Sequence, residues 1–290
     1  MDIVYLNGSY MPMAEAKISP LDRGFLFGDG IYDAFPVYNG KMVGFRAHIE
    51  RLNNGLKAIG LDFSWTEAQW RNVCQVLIEK NSRPALGIYI HISRGADCRR
   101  FHAFPSGVEP TVFLMPFDIP PMKEANRETI QGLKAISTED MRWKHCHVKS
   151  TALLGNVLHF QEGYLAGCDE AILFNTKNEL TEGSYSNVFI VKDGVIATPN
   201  LDQQKLPGIT RRMVIDIMRL HDEQIDERII TMDEVQAADE IWITNSVKLV
   251  APVVMLDGIK VGDGRPGLTW ERIASLYNKH QFDDCLRELK

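Results

Sequence analysis

Lys149 is the first residue whose surroundings suggest chemistry. It lies in His147-Val148-Lys149-Ser150-Thr151, directly before an apolar-periodic segment over residues 152–166. A lysine amine attacks an aldehyde only when part of it is neutral, which requires desolvation or a nearby positive field. We expect a helix over the apolar segment, and the positive end of its dipole would supply part of that field. Because a lone lysine is usually a solvated surface residue, its role depends on the segments that follow.

Three polar segments follow Lys149 along the chain. The first is Thr181-Glu182-Gly183-Ser184-Tyr185-Ser186-Asn187, the second Leu206-Pro207-Gly208-Ile209-Thr210-Arg211, and the third Thr244-Asn245-Ser246. The second segment directly precedes a predicted helix, where backbone amides and the dipole favour a phosphate group. Hydroxyls of Thr210 and Ser246 would add donors. Each segment is a weak signal alone, since most turn glutamates and threonines serve turns.

The N-terminal half carries three more polar segments. Gly28-Asp29-Gly30-Ile31-Tyr32 opens a predicted strand, and Arg51 lies in a predicted helix. A predicted loop holds Arg99-Arg100-Phe101-His102. A planar guanidinium binds a carboxylate through two parallel hydrogen bonds, and a neighbouring imidazole adds a donor. The pair Arg100 and His102 is therefore a candidate carboxylate site.

In this order, the segments resemble the pyridoxal-phosphate aminotransferases of the D-alanine and branched-chain type, class IV. The resemblance covers nearly the whole chain. It implies that Lys149 forms the Schiff base with pyridoxal 5'-phosphate and later moves the substrate proton. It also implies that Glu182 keeps the cofactor's ring nitrogen protonated, as an electron sink requires. The remaining cofactor-binding residues it implies are Arg51, Leu206, Gly208, Ile209, Thr210 and Ser246.

The substrate residues bring the chain closest to the D-amino acid aminotransferases of this family. In these, a tyrosine and an Arg-x-His pair donated across a homodimer interface grip the substrate α-carboxylate, which implies this role for Tyr32, Arg100 and His102. Two positions depart from the family pattern. Tyr185 stands where a small residue is common, and Pro36 reshapes the wall that meets the substrate side chain. The preferred side chain is therefore left open.

Composition limits the other possibilities. The chain has 290 residues, of which 45% are hydrophobic and 24% charged, as in soluble globular proteins, and its net charge of −6 does not favour nucleic acid. The N-terminus lacks a basic region and an apolar core, and no apolar run could span a bilayer, so we expect neither a signal peptide nor a membrane partner. Five scattered cysteines suit a reducing cytoplasm. The segment His145-Cys146-His147 is not expected to bind metal, because on an extended strand Cys146 would point away from both histidines.

The apolar patterns predict a mixed α/β fold in two domains, a D-amino acid aminotransferase-like fold with the cofactor between the domains. We place an N-terminal α/β domain at 1–118, a linker with paired prolines at 119–123, and a C-terminal α/β domain carrying the lysine at 124–290. Helices are expected over 46–59, from a capping box at Ser64 and Glu67 to about Lys80, over 210–220 and over 269–279. A strand is expected over 253–261, and Asp22-Arg23-Gly24 is interpreted as a turn.

These residues predict a cytoplasmic aminotransferase that works as a homodimer with active sites near the interface. It would exchange the amino group between a D-amino acid, D-alanine by default, and a 2-oxo acid such as 2-oxoglutarate or pyruvate, by a ping-pong mechanism. The alternatives on the same scaffold are a branched-chain L-amino acid aminotransferase and an aminodeoxychorismate lyase, and Arg100-x-His102 argues against both. A non-catalytic α/β binding protein is a further alternative, but it would not need a Schiff-base lysine.

Overall fold

A computed structural model describes residues 2–283. Backbone contacts divide them into a first unit, which runs to Met122 and includes Val148–Leu153, and a second unit, which comprises Lys123–His147 and the chain from Leu154 onward. The segment with Lys149 thus groups with the first unit, although it lies in the part of the sequence assigned to the C-terminal domain. The reason is backbone pairing, because Lys149 O accepts from Tyr32 N at 3.0 Å and Gly30 O accepts from Thr151 N at 3.0 Å. The boundaries at 118 and 123 stay predictions, and residues 284–290 of that domain lie outside the described part.

The first unit is built on one antiparallel sheet. Among residues 2–122 six strands follow the order β2-β1-β6-β5-β3-β4. They are β1 (Ile3–Leu6), β2 (Ser9–Pro12), β3 (Gly30–Tyr38), β4 (Lys41–Met42), β5 (Ala85–Ser93) and β6 (Thr111–Phe117). Strands β3 and β5 pair along their whole length, which places Tyr32 opposite His91. Side chains alternate along β3, so Tyr32 and its neighbour Asp33 lie on opposite faces of the sheet.

Three α-helices complete the first unit within its described residues: α1 (Arg23–Phe27), α2 (Phe45–Ala58) and α3 (Glu67–Lys80). The amphipathic helix predicted over 46–59 is confirmed as α2. The capping box predicted at Ser64 and Glu67 is wrong by two residues. Thr66 and Gln69 form it instead, each side chain accepting from the other's backbone N–H.

The segment interpreted as a turn at Asp22-Arg23-Gly24 is instead the start of helix α1. Asp22 is the N-cap residue, and its side chain accepts a hydrogen bond from Gly24 N. The helix ends at Gly28, whose φ of 65° lies in the left-handed region that glycine adopts without strain. Arg23 is the first residue of this short helix and Phe27 is the last.

The second unit is built on a mixed sheet. Among residues 123–283 nine strands follow the order β12-β11-β10-β13-β14-β7-β8-β9, with β15 paired to β14. They are β7 (Leu133–Glu139), β8 (Glu170–Phe174), β9 (Leu180–Gly183), β10 (Asn187–Lys192), β11 (Val195–Pro199), β12 (Ile225–Arg228), β13 (Glu240–Asn245), β14 (Leu249–Leu256) and β15 (Ile259–Lys260). The strand predicted over 253–261 is wrong, because Asp257 and Gly258 adopt φ values of 51° and 77° and turn the chain between β14 and β15.

The α-helices of the second unit, within its described residues, are α4 (Leu154–Leu165), α5 (Ile209–Leu220), α6 (Met232–Gln236) and α7 (Leu268–His280). Helix α5 confirms the segment predicted over 210–220. Helix α4 begins at Leu154, so Lys149 is not in its first turn and the dipole argument for its amine is wrong. No helix among the described residues has the length and apolarity needed to cross a membrane.

Each unit has its own core. In the first, the side chains of Phe35, Leu52 and Trp70 are fully buried between the sheet and helices α2 and α3. In the second, Ile172 and Ile243 lie in a separate apolar cluster. The predicted mixed α/β class is therefore confirmed, with the polar segments of interest attached to well-packed strands and helices.

Candidate active site

Lys149 lies against the face of β3 that carries Tyr32. Its Nζ donates to the Tyr32 hydroxyl at 3.2 Å and lies 4.2 Å from the centroid of that ring. Both side chains are partly buried, and the backbone pairing described above fixes the segment around Lys149 to β3. The structure therefore places an amine and a phenol, two groups able to exchange a proton, within hydrogen-bond distance.

Arg51 projects from α2 toward the opposite face of β3, where Asp33 is fully buried. Its Nε and Nη2 donate to the two Asp33 carboxylate oxygens at 3.0 and 2.8 Å, and His48 Nδ1 lies 2.7 Å from Asp33 Oδ1. Burial works to raise the pKa of Asp33, but the charge of Arg51 and the hydrogen bonds outweigh it and hold that pKa well below its usual range. The carboxylate is therefore charged and orients the Arg51 guanidinium. Asp33 was missed from the sequence, although an acid on the buried side of an alternating strand was a signal.

Glu182 is the third of the four residues of strand β9, and its side chain is buried and hydrogen-bonded. Its Oε2 accepts from Leu206 N at 2.8 Å and from Asn187 Nδ2 at 3.1 Å, and its Oε1 accepts from Arg142 Nη1 at 2.6 Å. Burial raises the pKa of Glu182 to about 7, although the charge and hydrogen bond of Arg142 oppose the rise. The structure thus joins two predicted cofactor residues, Glu182 and Leu206, directly.

Arg142 is the main residue that the sequence did not reveal. Its Nε and Nη2 donate to Asp140 at 3.0 and 2.8 Å, so the guanidinium links Asp140 to Glu182. Only 3% of its side chain is exposed, and Thr181 donates to Asp140 from the other side at 2.9 Å. Burial would raise the pKa of Asp140, but the hydrogen bond and charge of Arg142 lower it. A buried guanidinium therefore holds Glu182 in place and counters the burial of its charge.

The turn after Glu182 is held by Glu170 of β8. This fully buried carboxylate accepts from Ser184 N at 3.0 Å and from Ser186 Oγ at 2.7 Å, and it also contacts the Ser184 hydroxyl. A Cβ atom at Gly183 would lie only 2.2 Å from Ser186 Oγ, so the turn requires a glycine there. The polar motif around Glu182 is thus a hydrogen-bonded turn that fixes the strand end.

The predicted phosphate segment forms the open N-terminus of α5. Gly208 is the N-cap and no side chain caps the helix, while Ile209 and Thr210 are buried in its first turn. A Cβ at Gly208 would lie 2.0 Å from Asn187 Oδ1, so backbone and strand approach closely here. Helix N-termini without a side-chain cap leave backbone N–H groups for an anion.

The end of strand β13 lies beside the same region. Thr244 is paired with Asn187 of β10, and Ser246 follows in a partly buried turn. Within the described residues, the buried Thr244 Oγ1 and Asn245 Nδ2 have no hydrogen-bond partner. Buried polar atoms are nearly always paired, so these two are available for a hydrogen bond with a bound polar group or a water molecule.

Arg100 and His102 lie in the loop between β5 and β6, and both are exposed. Arg100 Cζ lies 5.0 Å from the centroid of the Phe27 ring, and the His102 ring lies 5.2 Å from the same centroid. The structure thus brings the two side chains together on α1. Among residues 2–283, no hydrogen bond or ion pair joins either of them to Tyr32. The segment His145-Cys146-His147 is a turn rather than the extended strand assumed, with Cys146 buried.

The sequence is similar to one enzyme family throughout. Residues 30–256 match the family described as amino-transferase class IV. The D-alanine aminotransferase of Bacillus licheniformis is 36% identical to this chain, over 91% of it and 92% of the relative. That of Staphylococcus epidermidis is 37% identical, over 97% of this chain and 98% of the relative.

Two solved structures share the fold. A branched-chain amino acid aminotransferase from Escherichia coli superposes with a TM-score of 0.89 at 24% identity, over 98% of this chain and 95% of its own. A hypothetical aminotransferase from Mycobacterium tuberculosis, in its PLP-bound form, superposes with a TM-score of 0.82 at 21% identity, over 97% and 99%.

Proposed function

Because this chain belongs to the class IV aminotransferases and is a pyridoxal-phosphate-dependent enzyme, we propose that it transfers the amino group of a D-amino acid to a 2-oxo acid. D-alanine is the expected donor, and 2-oxoglutarate or pyruvate the expected acceptor, in a ping-pong cycle. The observation that carries the proposal is the similarity to D-alanine aminotransferases at 36% and 37% identity over more than nine-tenths of the chain. The exposed pair Arg100 and His102 supports it, since both are cationic or hydrogen-bonding groups suited to a carboxylate.

The residues of the second unit fit the cofactor's phosphate and ring. The uncapped start of α5 suits the phosphate, and the unpartnered Thr244 hydroxyl suits one of its oxygens. We assign phosphate contacts to Gly208, Ile209 and Thr210, with Ser246 as a further donor. Leu206 would contact the ring. From the first unit we assign Arg51 to the phosphate, with its guanidinium oriented by Asp33 as the geometry above describes.

Pyridoxal phosphate, when bound, supplies an electron sink that makes the α-hydrogen of an amino acid acidic. We assign to Lys149 the covalent attachment and the transfer of that proton at its Nζ. Tyr32, 3.2 Å from Nζ, would accept or return a proton beside the amine. A neutral amine is the form that attacks an aldehyde.

Glu182 would hold the proton on the cofactor's ring nitrogen. A carboxylate does this only when it is charged, yet burial raises the pKa of Glu182 to about 7. The positive charge of the ring nitrogen would lower this raised pKa, since an opposite charge favours the ionised acid. Arg142 acts in the same direction through its 2.6 Å hydrogen bond. We therefore propose that Arg142 and the positive ring nitrogen together keep Glu182 ionised at neutral pH.

Handedness would follow from the side on which the substrate carboxylate is held. We assign Tyr32, Arg100 and His102 to this grip, with the last two donated by the neighbouring subunit of a homodimer. A D-amino acid held in this way presents its α-hydrogen to Lys149, whereas an L-amino acid in the same grip points its hydrogen away. Holding the carboxylate on this side would therefore select the D-enantiomer, because only its α-hydrogen would lie within reach of Lys149.

The homodimer proposal is supported by helix α4. Its apolar side chains face solvent in the single chain, with 61% of Leu158 and 77% of Leu165 exposed. A helix face of this kind is usually covered by another protein surface, and a second copy of this chain is the occupant we propose. In sedimentation velocity, Leu158→Glu should shift the protein toward monomer, while the control Val195→Glu, at an exposed position of β11, should not. A wild-type monomer at micromolar concentration would contradict the proposal.

An amine-transfer panel tests the function. Purified protein would be given D- and L-alanine, D- and L-glutamate, L-leucine and L-valine as amino donors. Each donor would be paired with pyruvate or 2-oxoglutarate, leaving out alanine with pyruvate and glutamate with 2-oxoglutarate, since these pairs only regenerate their own starting compounds. Transfer from D-alanine to 2-oxoglutarate above every L-amino acid is expected. A preference for L-leucine or L-valine would support the branched-chain alternative instead, and release of pyruvate from aminodeoxychorismate would support the lyase. We also propose a cytoplasmic location, on the basis of the cysteine pattern.

A further inference from the structure

Arg23 grips the backbone of the loop that carries Arg100 and His102. Its Nη1 donates to Phe101 O at 2.5 Å and to Ala103 O at 3.2 Å, and its Nη2 donates to His102 O at 3.1 Å. Three consecutive carbonyls are thus bound by one guanidinium, and only 4% of the Arg23 side chain is exposed. A planar fork of donors suits this arrangement, which a lysine ammonium could not reproduce.

Asp29 fixes the guanidinium that makes this grip. Its Oδ2 accepts from Arg23 Nε at 2.7 Å and from Arg94 Nε at 2.9 Å. Burial works to raise the pKa of Asp29, but hydrogen bonds from both arginines hold it below its usual value. Arg94 also lies under the next part of the loop, with its Cζ 3.6 Å from the centroid of Phe104. One charged carboxylate therefore anchors two arginines that hold the loop at residues 101–104.

Phe27, one turn beyond Arg23 on α1, supports the side chains of the same loop. The Arg23 guanidinium lies 4.9 Å from its ring centroid, and Arg100 and His102 lie against it as described. The short helix α1 thus fixes the loop backbone through Arg23 and contacts the two functional side chains through Phe27. Nothing in the catalytic assignment above uses Arg23, although it is buried and charged.

We propose that Arg23 is a positioning residue for substrate binding: by holding the three carbonyls around His102, it sets the placement of the Arg100 and His102 side chains that receive the substrate carboxylate. This inference rests on the proposed function of that pair. Without the hydrogen bonds from Arg23, the loop would sample many conformations and would have to be ordered each time a substrate binds. That ordering cost weakens binding. Loss of Arg23 should leave the attachment and the reactivity of the cofactor unchanged.

The kinetic test compares Arg23→Gln with the matched control Arg83→Gln, since Arg83 forms ion pairs with Asp2 and Asp118 in the same unit. For Arg23→Gln, KM for D-alanine and for the oxo acid should rise about 10- to 100-fold, the effect of a small misplacement of binding groups. The change in kcat should be under about threefold, with cofactor absorbance unchanged. Half-saturation by D-alaninol, which lacks the carboxylate, should stay within about twofold of wild type. An unchanged KM, or an equal rise for D-alaninol, would overturn the proposal.

A second measurement tests whether Arg23 orders the loop, and it applies even if the protein transfers no amine from D-amino acids. Proteases cut a folded chain where it unfolds locally, so trypsin should cut Arg23→Gln holoenzyme after Arg99 and Arg100 about tenfold faster than wild type, as judged by mass spectrometry of the fragments. Arg83→Gln should be cut at the wild-type rate. An unchanged cleavage rate for the Arg23 variant would overturn the positioning role. If Arg23→Gln does not fold, Arg23→Lys, which keeps the charge beside Asp29 but not the fork, takes both tests.

Discussion

Replacing Arg142 by methionine should show how strongly the second unit depends on one buried guanidinium. Methionine keeps much of the arginine's apolar length but removes every donor. In the variant, Asp140 and Glu182 would face each other at a site where their side chains are only 8% and 5% exposed. Removing one partner of a buried ion pair typically costs about 3–5 kcal/mol, because the other charge stays buried without compensation.

The loss of unfolding free energy in Arg142→Met should depend on pH, and the direction of that dependence follows from the titration of Asp140 and Glu182. Arg142 holds the pKa of Asp140 below its ordinary value, so in wild type that group stabilises the fold above its unfolded pKa and loses this contribution as pH falls. Burial raises the pKa of Glu182 to about 7, so the stability that this group contributes in its protonated form at low pH is lost as pH rises through that value. Without Arg142 both acids should titrate above their unfolded pKa. The variant should therefore lose about 3–5 kcal/mol at pH 8 and clearly less at pH 5, where both acids can take up protons.

Urea unfolding of cofactor-free protein, followed by circular dichroism at both pH values, measures this effect. The matched control is Arg83→Met, because Arg83 is 29% exposed and its partner Asp118 is 90% exposed. Exposed pairs of this kind contribute about 0–1 kcal/mol, so the control should change little at either pH. An Arg142→Met loss below about 1 kcal/mol, or one of equal size at pH 8 and pH 5, would refute the reasoning.

Two further substitutions test the assigned roles. Glu182→Gln should keep the cofactor bound yet slow amine transfer by at least ~10²-fold, the scale of losing a preorganised charge, whereas Glu128→Gln on the surface should be neutral; near-normal turnover by the first variant would contradict its role. Arg100→Ala should lower kcat/KM for D-alanine by about 30- to 1000-fold, equivalent to about 2–4 kcal/mol, while Arg99→Ala in the same loop should not. Mixing inactive Lys149→Ala with Arg100→Ala should restore some activity through heterodimers, and a failure to do so would count against donation of Arg100 across an interface.

Short-range patterns predicted the elements that carry most of the assigned residues. The spacing of Ile49, Leu52 and Leu56 gave helix α2, and with it the position of Arg51. Apolar periodicity after Gly208 gave α5 with Thr210 in its first turn. These predictions succeeded because a helical period is fixed by residues three and four apart, which the sequence shows directly.

The buried arginines were missed because their partners are distant along the chain. Arg142 meets Glu182 forty residues later, and Arg23 meets His102 seventy-nine residues later. A charged residue without its partner is correctly expected to be solvated, since lone charges are almost never buried. Only the tertiary fold shows that these guanidinium groups are compensated. The same limit explains Arg94, whose hydrogen bonds to Asp29 follow from the pairing of β3 with β5.

The placement of Lys149 was also beyond local pattern. Periodicity over residues 152–166 predicted helix α4, but not that residues 148–151 would pair with β3 before the helix begins. Backbone pairing of this kind involves no side-chain pattern, so the sequence could not show it. The stripe of apolar residues on α4 was recognised, yet periodicity alone does not say which surface covers it.

The central claim is that Lys149 carries the cofactor. Holoenzyme reduced with borohydride and digested for mass spectrometry tests it most directly, because reduction converts the linkage to a stable secondary amine. The pyridoxyl-phosphate mass should be found on the peptide that contains Lys149, and Lys149→Ala should lose both the adduct and the cofactor's absorbance band. The control Lys144→Ala, an exposed lysine in the same stretch of chain, should keep both. An adduct on a different lysine, or none in cofactor-saturated protein, would contradict the account.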